Sequence, residues 1–419
     1  MSLKYFVENF DKDTIDDVPD IELDITKKAL EKPERPILYT DFPGGRSIIN
    51  LWATRERLGE ALGVKPEEIV DLLAHAVDEP TPVKEVGKAE EFYEEMEQFD
   101  LRDLPIPKYY PKDGGRYITS GVVFSEYEGI RNLSFHRLML TGKNTFTIRL
   151  VPRNLHRMYT ESIEEGQELE VSIAIGVCPP ILLAGATSVD YDVDEFQIAS
   201  SLREKGIGEK VEACELPNGN LIPAYSEYIL QGRLLDEEGD EGPFVDITST
   251  YDKVRQQPVL KIDKIWKKED PIFHALLPGG HEHFLLMGLP RESVMKREIE
   301  KVADVKDVRL TQGGCSWLHG VVSIKKDDRT DVDQVITKAF KAHTSMKKVT
   351  IVDDDIDIYN DQQVEWAIAT RFQPHKDMTI LEDQKGSSLD PSAPELTSKW
   401  ALDATRPWEG EEFQRAKLK

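Results

Sequence analysis

The sequence predicts a multidomain α+β protein in which an antiparallel β region lies between two α/β regions. The chain has 419 residues, which is longer than one compact domain usually grows. Its middle carries many short runs of β-forming residues separated by Gly, Pro and Asp, whereas both ends alternate strand-like and helix-like patterns. We therefore expect three domains, over residues 1–115, 116–290 and 291–419.

The first region has the pattern of a small α/β domain. The apolar runs PILYT and SIINLWA predict strands, and the PGGR between them marks a turn. Helical periodicity follows in TRERLGEALGV and KPEEIVDLLAHAV. The acidic stretch VGKAEEFYEEMEQFD and the proline-rich LRDLPIPKYYPKDGG then indicate a domain boundary.

The central region, from Tyr117 to about Leu289, is dominated by short β-type runs. They include YITSGVVF, NTFTIRLV, LEVSIAIGV, ILLAGATSV, YILQGRL and VLKIDKIW. Strands at this density predict an antiparallel barrel or sandwich, and DEFQIASSLREKG predicts one helix within it.

The last region alternates helices and strands again, which predicts a second α/β domain. The helix SVMKREIEKV is followed by the strands DVRLTQ and GVVSIKK, the helix DVDQVITKAFKAH and the strand KKVTIVDDD. The acidic run at residues 352–361 is not an EF-hand loop, because Ile358 and Val364 occupy the positions that need glycine and glutamate. We predict an acidic turn at the end of a strand.

Charge and cysteine content exclude several classes of protein. With 53 Lys and Arg against 78 Asp and Glu, the net charge of −25 argues against binding nucleic acid or an anionic membrane. The three cysteines show no CxxC spacing, so neither a disulfide framework nor a thiolate zinc site is expected. The N-terminus lacks a secretory signal pattern, and no apolar run reaches the roughly 18 residues of a membrane span. We therefore expect a cytoplasmic protein.

Polar side chains gather in NLSFHRLMLTGKNTFTIRLVPRNLH, residues 132–156. Asn132 offers an amide oxygen, Arg137 a guanidinium and His156 an imidazole, and Glu227 in PAYSEYIL adds a carboxylate. Taken singly, each is more often a hydrogen-bonded structural group than a ligand. Together, Asn132, His156 and Glu227 suit Mn²⁺ or Mg²⁺ better than zinc. The set predicts a cation held beside an anionic phosphate.

The HEH at residues 281–283 is not a zincin motif, which needs two histidines four residues apart. Its Glu282 follows a Pro-Gly-Gly turn and precedes the apolar FLLMG. It is therefore either a carboxylate that projects over a pocket or a solvated loop residue.

Several blocks of the chain resemble the UbiD-type decarboxylases, which use prenylated FMN. They are NLSFHR with TGKN, PAYSEYIL, EGPFVDITSTY, HALLPGGHEHFLLMG, VTIVDDDIDIYNDQQVEWAIATR and SKWALDATRPW, in the order of the family. The resemblance implies a central split β-barrel of the flavin-binding type. It also implies a C-terminal α/β oligomerisation domain, and hence a homodimer or homohexamer.

The resemblance also implies roles for individual residues. Asn132, His156 and Glu227 match metal ligands that bind Mn²⁺ or Mg²⁺, with K⁺ nearby, and join the metal to the cofactor phosphate. The residues that match cofactor contacts are these three together with Ser134, Phe135, His136, Arg137 and Lys399.

Arg137 and Glu282 match the catalytic pair of the family. A guanidinium can bind the substrate carboxylate, the prenylated flavin is the electron sink, and Glu282 protonates the carbon that CO₂ leaves. Some relatives carry a second glutamate, but this chain has Leu277 at the position five residues before Glu282.

The resemblance implies non-oxidative decarboxylation of a small α,β-unsaturated carboxylic acid, with a flavin prenyltransferase as cofactor supplier. The PGGHEHFLLMG loop is similar to archaeal relatives, which favours conversion of trans-anhydromevalonate 5-phosphate to isopentenyl phosphate in an archaeal mevalonate pathway. Arg149 and Arg153 are candidates to bind the substrate phosphate. The alternatives are an aromatic decarboxylase of the 4-hydroxybenzoate type and, from another class, a non-catalytic flavin-binding protein.

Overall fold

The structure, a computed structural model, describes residues 2–16, 22–327, 330–393 and 396–407. It divides into two compact units, Met1–Pro290 and Arg291–Lys419, and the boundary falls within a helix. Within the described ranges, no helix combines the length and the apolar character needed to cross a bilayer. The predicted tail beyond residue 407 lies outside the described residues.

The first elements form a four-stranded sheet with four helices. They are α1 (Leu3–Asn9), β1 (Asp13–Ile15), α2 (Asp24–Glu31), β2 (Ile37–Phe42), β3 (Gly45–Ile49), α3 (Arg55–Leu62) and α4 (Ile69–Asp78). The sheet runs β1, β2, β3 and then the strand Ile272–Ala275, which comes from the other end of the same unit. This last strand carries the chain toward the site.

The rest of the first unit is built around a nine-stranded sheet. The elements in this part of the chain are β4 (Lys84–Lys88), β5 (Glu94–Glu95), β6 (Tyr117–Ile118), β7 (Val122–Tyr127), β8 (Ile130–Phe135), β9 (Leu138–Leu140), β10 (Thr145–Ile148), α5 (Asn154–Glu164), β11 (Leu169–Ile175), α6 (Pro179–Ala186), α7 (Glu195–Ile207), β12 (Glu212–Glu215), β13 (Leu221–Pro223), β14 (Tyr228–Glu241), β15 (Phe244–Val245), β16 (Tyr251–Asp252) and β17 (Arg255–Lys267). They are followed by β18 (Ile272–Ala275), the strand that completes the four-stranded sheet. The order in the nine-stranded sheet is β6-β9-β10-β17-β14-β11-β7-β8, with β5 beside β17. Every pairing in this sheet is antiparallel.

The nine-stranded sheet is apolar on both faces, because its strands alternate between two cores. On β7, Val122 and Phe124 join one core and Val123 joins the other. The helix α6 (PPILLAGA) is buried along its whole length within the first of these cores. A helix that is apolar all round has to be buried in this way.

The second unit is a five-stranded sheet with helices. Its elements are α8 (His281–Glu300), β19 (Asp304–Leu310), β20 (His319–Lys325), α9 (Val332–Ala342), β21 (Lys348–Asp353), α10 (Asp361–Arg371), α11 (Pro374–Asp377), β22 (Met378–Lys385) and β23 (Leu396–Asp403). The sheet order is β19-β20-β21-β23-β22. Asp331 and Asn360 accept backbone N–H groups at the starts of α9 and α10, which fixes both helix ends.

The predicted α+β multidomain fold class is confirmed. Among the described strands, no pairing closes β6 onto β8, so the central sheet is an open path of eight strands with β5 added beside β17. The acidic run after β21 binds an arginine: Asp353 and Asp355 accept from Arg371 at 2.9 and 2.8 Å. This contact explains the acidic run without a bound calcium ion.

Candidate active site

Three carboxylates surround the guanidinium of Arg137, which lies between β8 and β9. Its Nε and Nη2 donate to the two oxygens of Glu241 at 2.8 and 2.7 Å. Its Nη1 donates to Asp246 at 2.6 Å, and its Nη2 donates to Asp252 at 3.0 Å. Burial acts to lower the pKa of Arg137, but the hydrogen bonds and charges of these acids raise it above its usual value. Arg137 is therefore a fixed, buried cation.

The three acids belong to one short segment, residues 241–252, which we call the acid turn. β14 ends at Glu241, and the chain reverses at Gly242, whose φ of +102° favours glycine. Asp246 accepts from the N–H of Ile247 at 2.7 Å through Oδ1, and its Oδ2 binds Arg137. The Asp246 side chain is 18% exposed, against 0% for Glu241 and 8% for Asp252. Asp246 is therefore the most accessible acid of the three.

Asn132, Ser134 and His136 form a hydrogen-bonded chain that starts on β8. The Nδ2 of Asn132 lies 2.9 Å from the Ser134 hydroxyl, which lies 2.9 Å from Nε2 of His136. The Nδ1 of His136 lies 2.9 Å from the carbonyl of Arg149, which can only accept, so Nδ1 carries the proton. Burial lowers the pKa of His136 to about 4, so the ring is neutral near pH 7. Because Nδ2 of Asn132 is committed to Ser134, its carbonyl oxygen can serve as a ligand atom.

A buried carboxylate, Glu195, lies next to Asn132. Its Oε2 accepts from the N–H of Leu133 at 2.9 Å, and the residue is 3% exposed. Burial raises the pKa of Glu195 to about 8, although hydrogen bonds from Leu133 and from the Asn154 side chain oppose the change. A cation would replace the lost solvation of this carboxylate, so the group fits a metal site with oxygen ligands.

The structure does not bring His156 to this set. Asn154 and His156 are two residues apart on α5, so their side chains leave the helix about 200° apart, on opposite sides. The Nδ1 of His156 lies 3.5 Å from the hydroxyl of Thr160 on the same helix. In the described part of the chain, no three His, Cys, Asp or Glu side chains form a metal cluster. The set beside Asn132 therefore depends on amide oxygens and one carboxylate.

Glu227 also lies elsewhere, which corrects the predicted ligand set. Its carboxylate accepts from the N–H of Ile272 at 3.0 Å. The backbone N–H of Glu227 donates to the carbonyl of Ile175 on β11. The strand pairings place Asn132 level with Val171, which lies four residues before Ile175 on β11. Four residues along a strand correspond to about 13 Å. One cation cannot bridge that separation.

Glu282 lies in the first turn of α8 and is fully buried. Its Oε1 accepts from the N–H of Trp52 at 3.0 Å and lies 2.8 Å from Nε2 of His274. These contacts join Glu282 to Trp52 and His274, and its predicted role as the proton donor beside Arg137 stays a prediction. Leu277 lies in the apolar core, and the acid turn supplies the carboxylates that contact Arg137.

His283 lies beside the acid turn. Its Nδ1 accepts from the N–H of Gly279 at 3.0 Å, so the neutral ring carries its proton on Nε2. A Cβ at Gly279 would lie 2.6 Å from the hydroxyl of Ser249, which shows how closely this loop packs on the acid turn. Burial lowers the pKa of His283, with opposing effects from the charges of Asp246 and Arg137.

Lys399 lies in the second unit and makes its contacts there. Its Nζ donates to the carbonyl of Thr344 at 2.5 Å and lies 5.3 Å from the centre of the Phe340 ring. Burial lowers the pKa of Lys399 to about 8. Its predicted role beside a phosphate stays a prediction.

The remaining predicted contacts lie near β8. Phe135, the last residue of β8, packs against the first core. Arg149 is half-buried, and its Nη1 lies 3.4 Å from Oε1 of Gln257. Burial and the charges of Arg255 and Arg137 lower the pKa of Arg149. Arg153 bonds Ser188.

A cavity of about 780 Å³ opens in another part of the first unit. Its lining includes Arg46, Lys143, Lys267 and Asp270. None of the predicted site residues lines it. The volume of a cavity alone therefore does not identify the site.

Sequence reasoning missed Glu241, Asp246, Asp252, Asn154 and Glu195. The first two lie in EGPFVDITSTY, a block that supports the family resemblance, and Asp252 follows it. Their acidic character next to a Gly-Pro pair was the available signal. Asn154 lies within the polar stretch at residues 132–156, and Glu195 lies in the predicted helix DEFQIASSLREKG.

Comparison with known proteins identifies one family over most of the chain. The UbiD family model, described as "3-octaprenyl-4-hydroxybenzoate carboxy-lyase Rift-related domain", matches residues 81–281. The C-terminal and N-terminal domains of the same carboxy-lyase match residues 284–404 and 13–77. The anhydromevalonate phosphate decarboxylase of Methanocaldococcus jannaschii is 44% identical over 395 residues, which are 92% of each chain.

Solved structures agree with this result. The UbiD-class enzyme HmfF from Pelotomaculum thermopropionicum, in complex with FMN, matches with a TM-score of 0.95 and 30% identity, over 100% of this chain and 97% of that one. An evolved dimeric form of the same enzyme, in complex with prFMN, matches with a TM-score of 0.91 and 29% identity over the same shares.

Proposed function

The chain belongs to the UbiD family, and from this membership we propose that it is a prenylated-FMN-dependent decarboxylase acting on trans-anhydromevalonate 5-phosphate. The products would be isopentenyl phosphate and CO₂. The name of the Methanocaldococcus relative supports the substrate, and the HmfF complexes support the cofactor. The structural observation that carries the proposal is the buried guanidinium of Arg137 beside the partly exposed carboxylate of Asp246.

Ser134, Phe135, His136 and Arg137 would lie along the cofactor. When bound, the prenylated flavin supplies the electron sink for loss of CO₂. The neutral ring of His136 suits a position against a flavin, because it adds no charge there. Its two hydrogen bonds also fix its orientation.

We propose that Asn132, Asn154 and Glu195 hold Mn²⁺ or Mg²⁺, with K⁺ nearby, and that the metal joins the protein to the cofactor phosphate. Hard cations prefer oxygen ligands, and this set offers two amide oxygens and a carboxylate. The raised pKa of Glu195 supports the assignment, since a bound cation would stabilise its ionised form. His156 and Glu227 have no part in this proposal.

Arg137 would bind the substrate carboxylate, and Asp246 would deliver the proton that replaces CO₂. The acid turn holds the guanidinium in a fixed position, which favours a defined approach of the substrate. Arg137 and Arg255 contact the three acids, so the two guanidinium charges offset much of the negative charge of this cluster. Asp246 is the most exposed of the three, so it is the acid that the substrate carbon can best reach.

The proposal also includes the supplier of the cofactor, the cellular compartment and the oligomeric state. A flavin prenyltransferase would supply the cofactor, and the protein would act in the cytoplasm as a homodimer or homohexamer. The net charge of −25 argues against binding to nucleic acid or to an anionic membrane. The substrate and product place the reaction in isoprenoid biosynthesis.

A substrate panel tests the proposed function. The protein is co-produced with a flavin prenyltransferase, its cofactor is identified by mass spectrometry, and CO₂ release is measured with trans-anhydromevalonate 5-phosphate and with 4-hydroxybenzoates. We expect turnover of the phosphorylated acid alone. Turnover of 4-hydroxybenzoates alone would refute the substrate, and cofactor binding without turnover of any acid would indicate a flavin carrier.

A further inference from the structure

Residues 110–117 form a segment that is hydrogen-bonded to the acid turn, and we call this segment the brace. Asp113 accepts the N–H of Val245 at 3.3 Å through Oδ1 and the N–H of Tyr110 at 2.9 Å through Oδ2. Val245 directly precedes Asp246 in the acid turn. Asp113 is 5% exposed, so these two backbone groups replace water around its carboxylate.

Gly114 contacts the acid turn at its other end. Its N–H donates to the carbonyl of Pro243 at 2.8 Å. A Cβ on Gly114 would lie 2.1 Å from the carbonyl oxygen of Gly242, which directly follows Glu241. Only glycine permits so close an approach of two backbones. The brace thus fixes the backbone on both sides of the reversal that separates Glu241 from Asp246.

Two further contacts join the same segments. The hydroxyl of Tyr117 donates to Oε1 of Glu241 at 3.2 Å, the oxygen that also accepts from Nε of Arg137. The N–H of Lys112 donates to the hydroxyl of Tyr251 at 3.1 Å. The brace therefore reaches both an acid that binds Arg137 and the far end of the acid turn.

We propose that Asp113 and Gly114 are positioning residues, which fix the acid turn so that Glu241 and Asp246 hold Arg137 from two sides. This inference rests on the proposed function, because it assumes that Arg137 binds the substrate carboxylate. Neither Asp113 nor Gly114 is among the residues that hydrogen-bond the Arg137 side chain in the described part of the chain. They act through the backbone of Pro243 and Val245.

The chemistry of Asp113 supports this role. Burial raises the pKa of Asp113 to about 6, and its hydrogen bonds to backbone N–H groups oppose the rise. An apolar residue would avoid the cost of burying a carboxylate but would leave the N–H of Val245 without its acceptor. A displacement of about 1 Å in a reacting group can cost about 100-fold in rate.

The test compares Asp113→Asn and Gly114→Ala with the parent holoenzyme. Asparagine keeps the shape of Asp113 but has one acceptor oxygen for two N–H groups. We expect kcat for CO₂ release to fall by about 10- to 100-fold in both variants, with a much smaller change in KM. Hydrogen exchange should accelerate in peptides that cover residues 241–252 and not elsewhere. Gly313→Ala is the matched control, since a Cβ there meets nothing within 4 Å.

Parental kcat in Asp113→Asn, or unchanged exchange over residues 241–252, would overturn the inference. If Gly114→Ala does not fold, Asp113→Asn still decides, because it adds no bulk. Asp246→Asn distinguishes a failure of the proposed site from a failure of the proposed role of the brace. Parental turnover in Asp246→Asn would refute the proposed site, whereas loss of turnover there with no effect of Asp113→Asn would refute the brace alone.

Discussion

The Nη1 of Arg137 lies 2.6 Å from Oδ2 of Asp246, although 109 residues separate the two in the chain. The contact joins the end of β8 to the acid turn. It places the most accessible acid of the cluster directly on the buried cation.

Substitution of Arg137 by lysine should abolish most activity. A lysine has one compact charge and cannot bind both oxygens of Glu241 while it also contacts Asp246. We expect kcat/KM for CO₂ release to fall at least about 100-fold, because a charge-assisted bidentate contact is lost. The control is Arg157→Lys, which changes an exposed arginine on α5. Activity within about twofold of the parent would contradict the assignment of Arg137.

Metal retention should separate the two candidate ligand sets. Glu195→Gln and Asn154→Ala should lower bound Mn²⁺, measured by elemental analysis of the purified protein, by about tenfold or more, because each removes a proposed ligand. Glu227→Gln and His156→Ala are the matched controls and should keep the metal. Loss of metal in the controls, with retention in the first pair, would restore the set expected from the sequence.

The fold class could be predicted from the sequence, because it depends on local patterns. Strand-like runs and helical periodicity are visible within windows of about ten residues. The Arg137 cluster depends instead on pairings over 104 to 115 residues, which no local pattern encodes. Sequence reasoning singled out Glu282 and missed Asp246, because the direction of each side chain is set only by the fold.

The ligand set illustrates the same limit at short range. Asn154 and His156 lie two residues apart, and the start of α5 decides which of them faces Glu195. Sequence reasoning named His156, whose imidazole is a common metal ligand. Helix geometry favours Asn154, since a separation of two residues turns a side chain to the opposite side.

The stability of the protein should depend on pH through His136. Its pKa is lowered from 6.5 to about 4 by burial, so the unfolded chain binds more protons than the folded one between these values. The contribution of this residue is present above pH 6.5 and is lost as the pH falls toward 4. Urea denaturation of the protein at pH 7 and pH 5 measures it.

His136→Gln should reduce the difference between the free energies of unfolding at pH 7 and pH 5. Glutamine does not titrate in this range, so this part of the dependence disappears. His75→Gln, at an exposed position on α4, is the control. An unchanged pH dependence in His136→Gln would show that the imidazole is not held neutral.

Glu282→Gln should affect stability more than catalysis. The carboxylate accepts from Trp52 and His274 in a fully buried place, and a charged hydrogen bond contributes about 1.5–3 kcal/mol. We therefore expect a lower Tm, with turnover by the folded protein within about tenfold of the parent. Glu60→Gln, at an exposed position on α3, should leave Tm unchanged. Loss of turnover at an unchanged Tm would instead indicate that Glu282 takes part in the reaction.

The most direct test compares Asp246→Asn with Glu282→Gln, each loaded with prenylated FMN, by initial rates of CO₂ release from trans-anhydromevalonate 5-phosphate. Cofactor content is measured in both, so that a loss of rate is not a loss of cofactor. We predict that Asp246→Asn lowers kcat by about 100-fold or more, as expected for removal of a proton donor, while Glu282→Gln keeps most of it. Parental turnover in Asp246→Asn, with turnover lost in Glu282→Gln, would contradict the assignment of Asp246 as the proton donor.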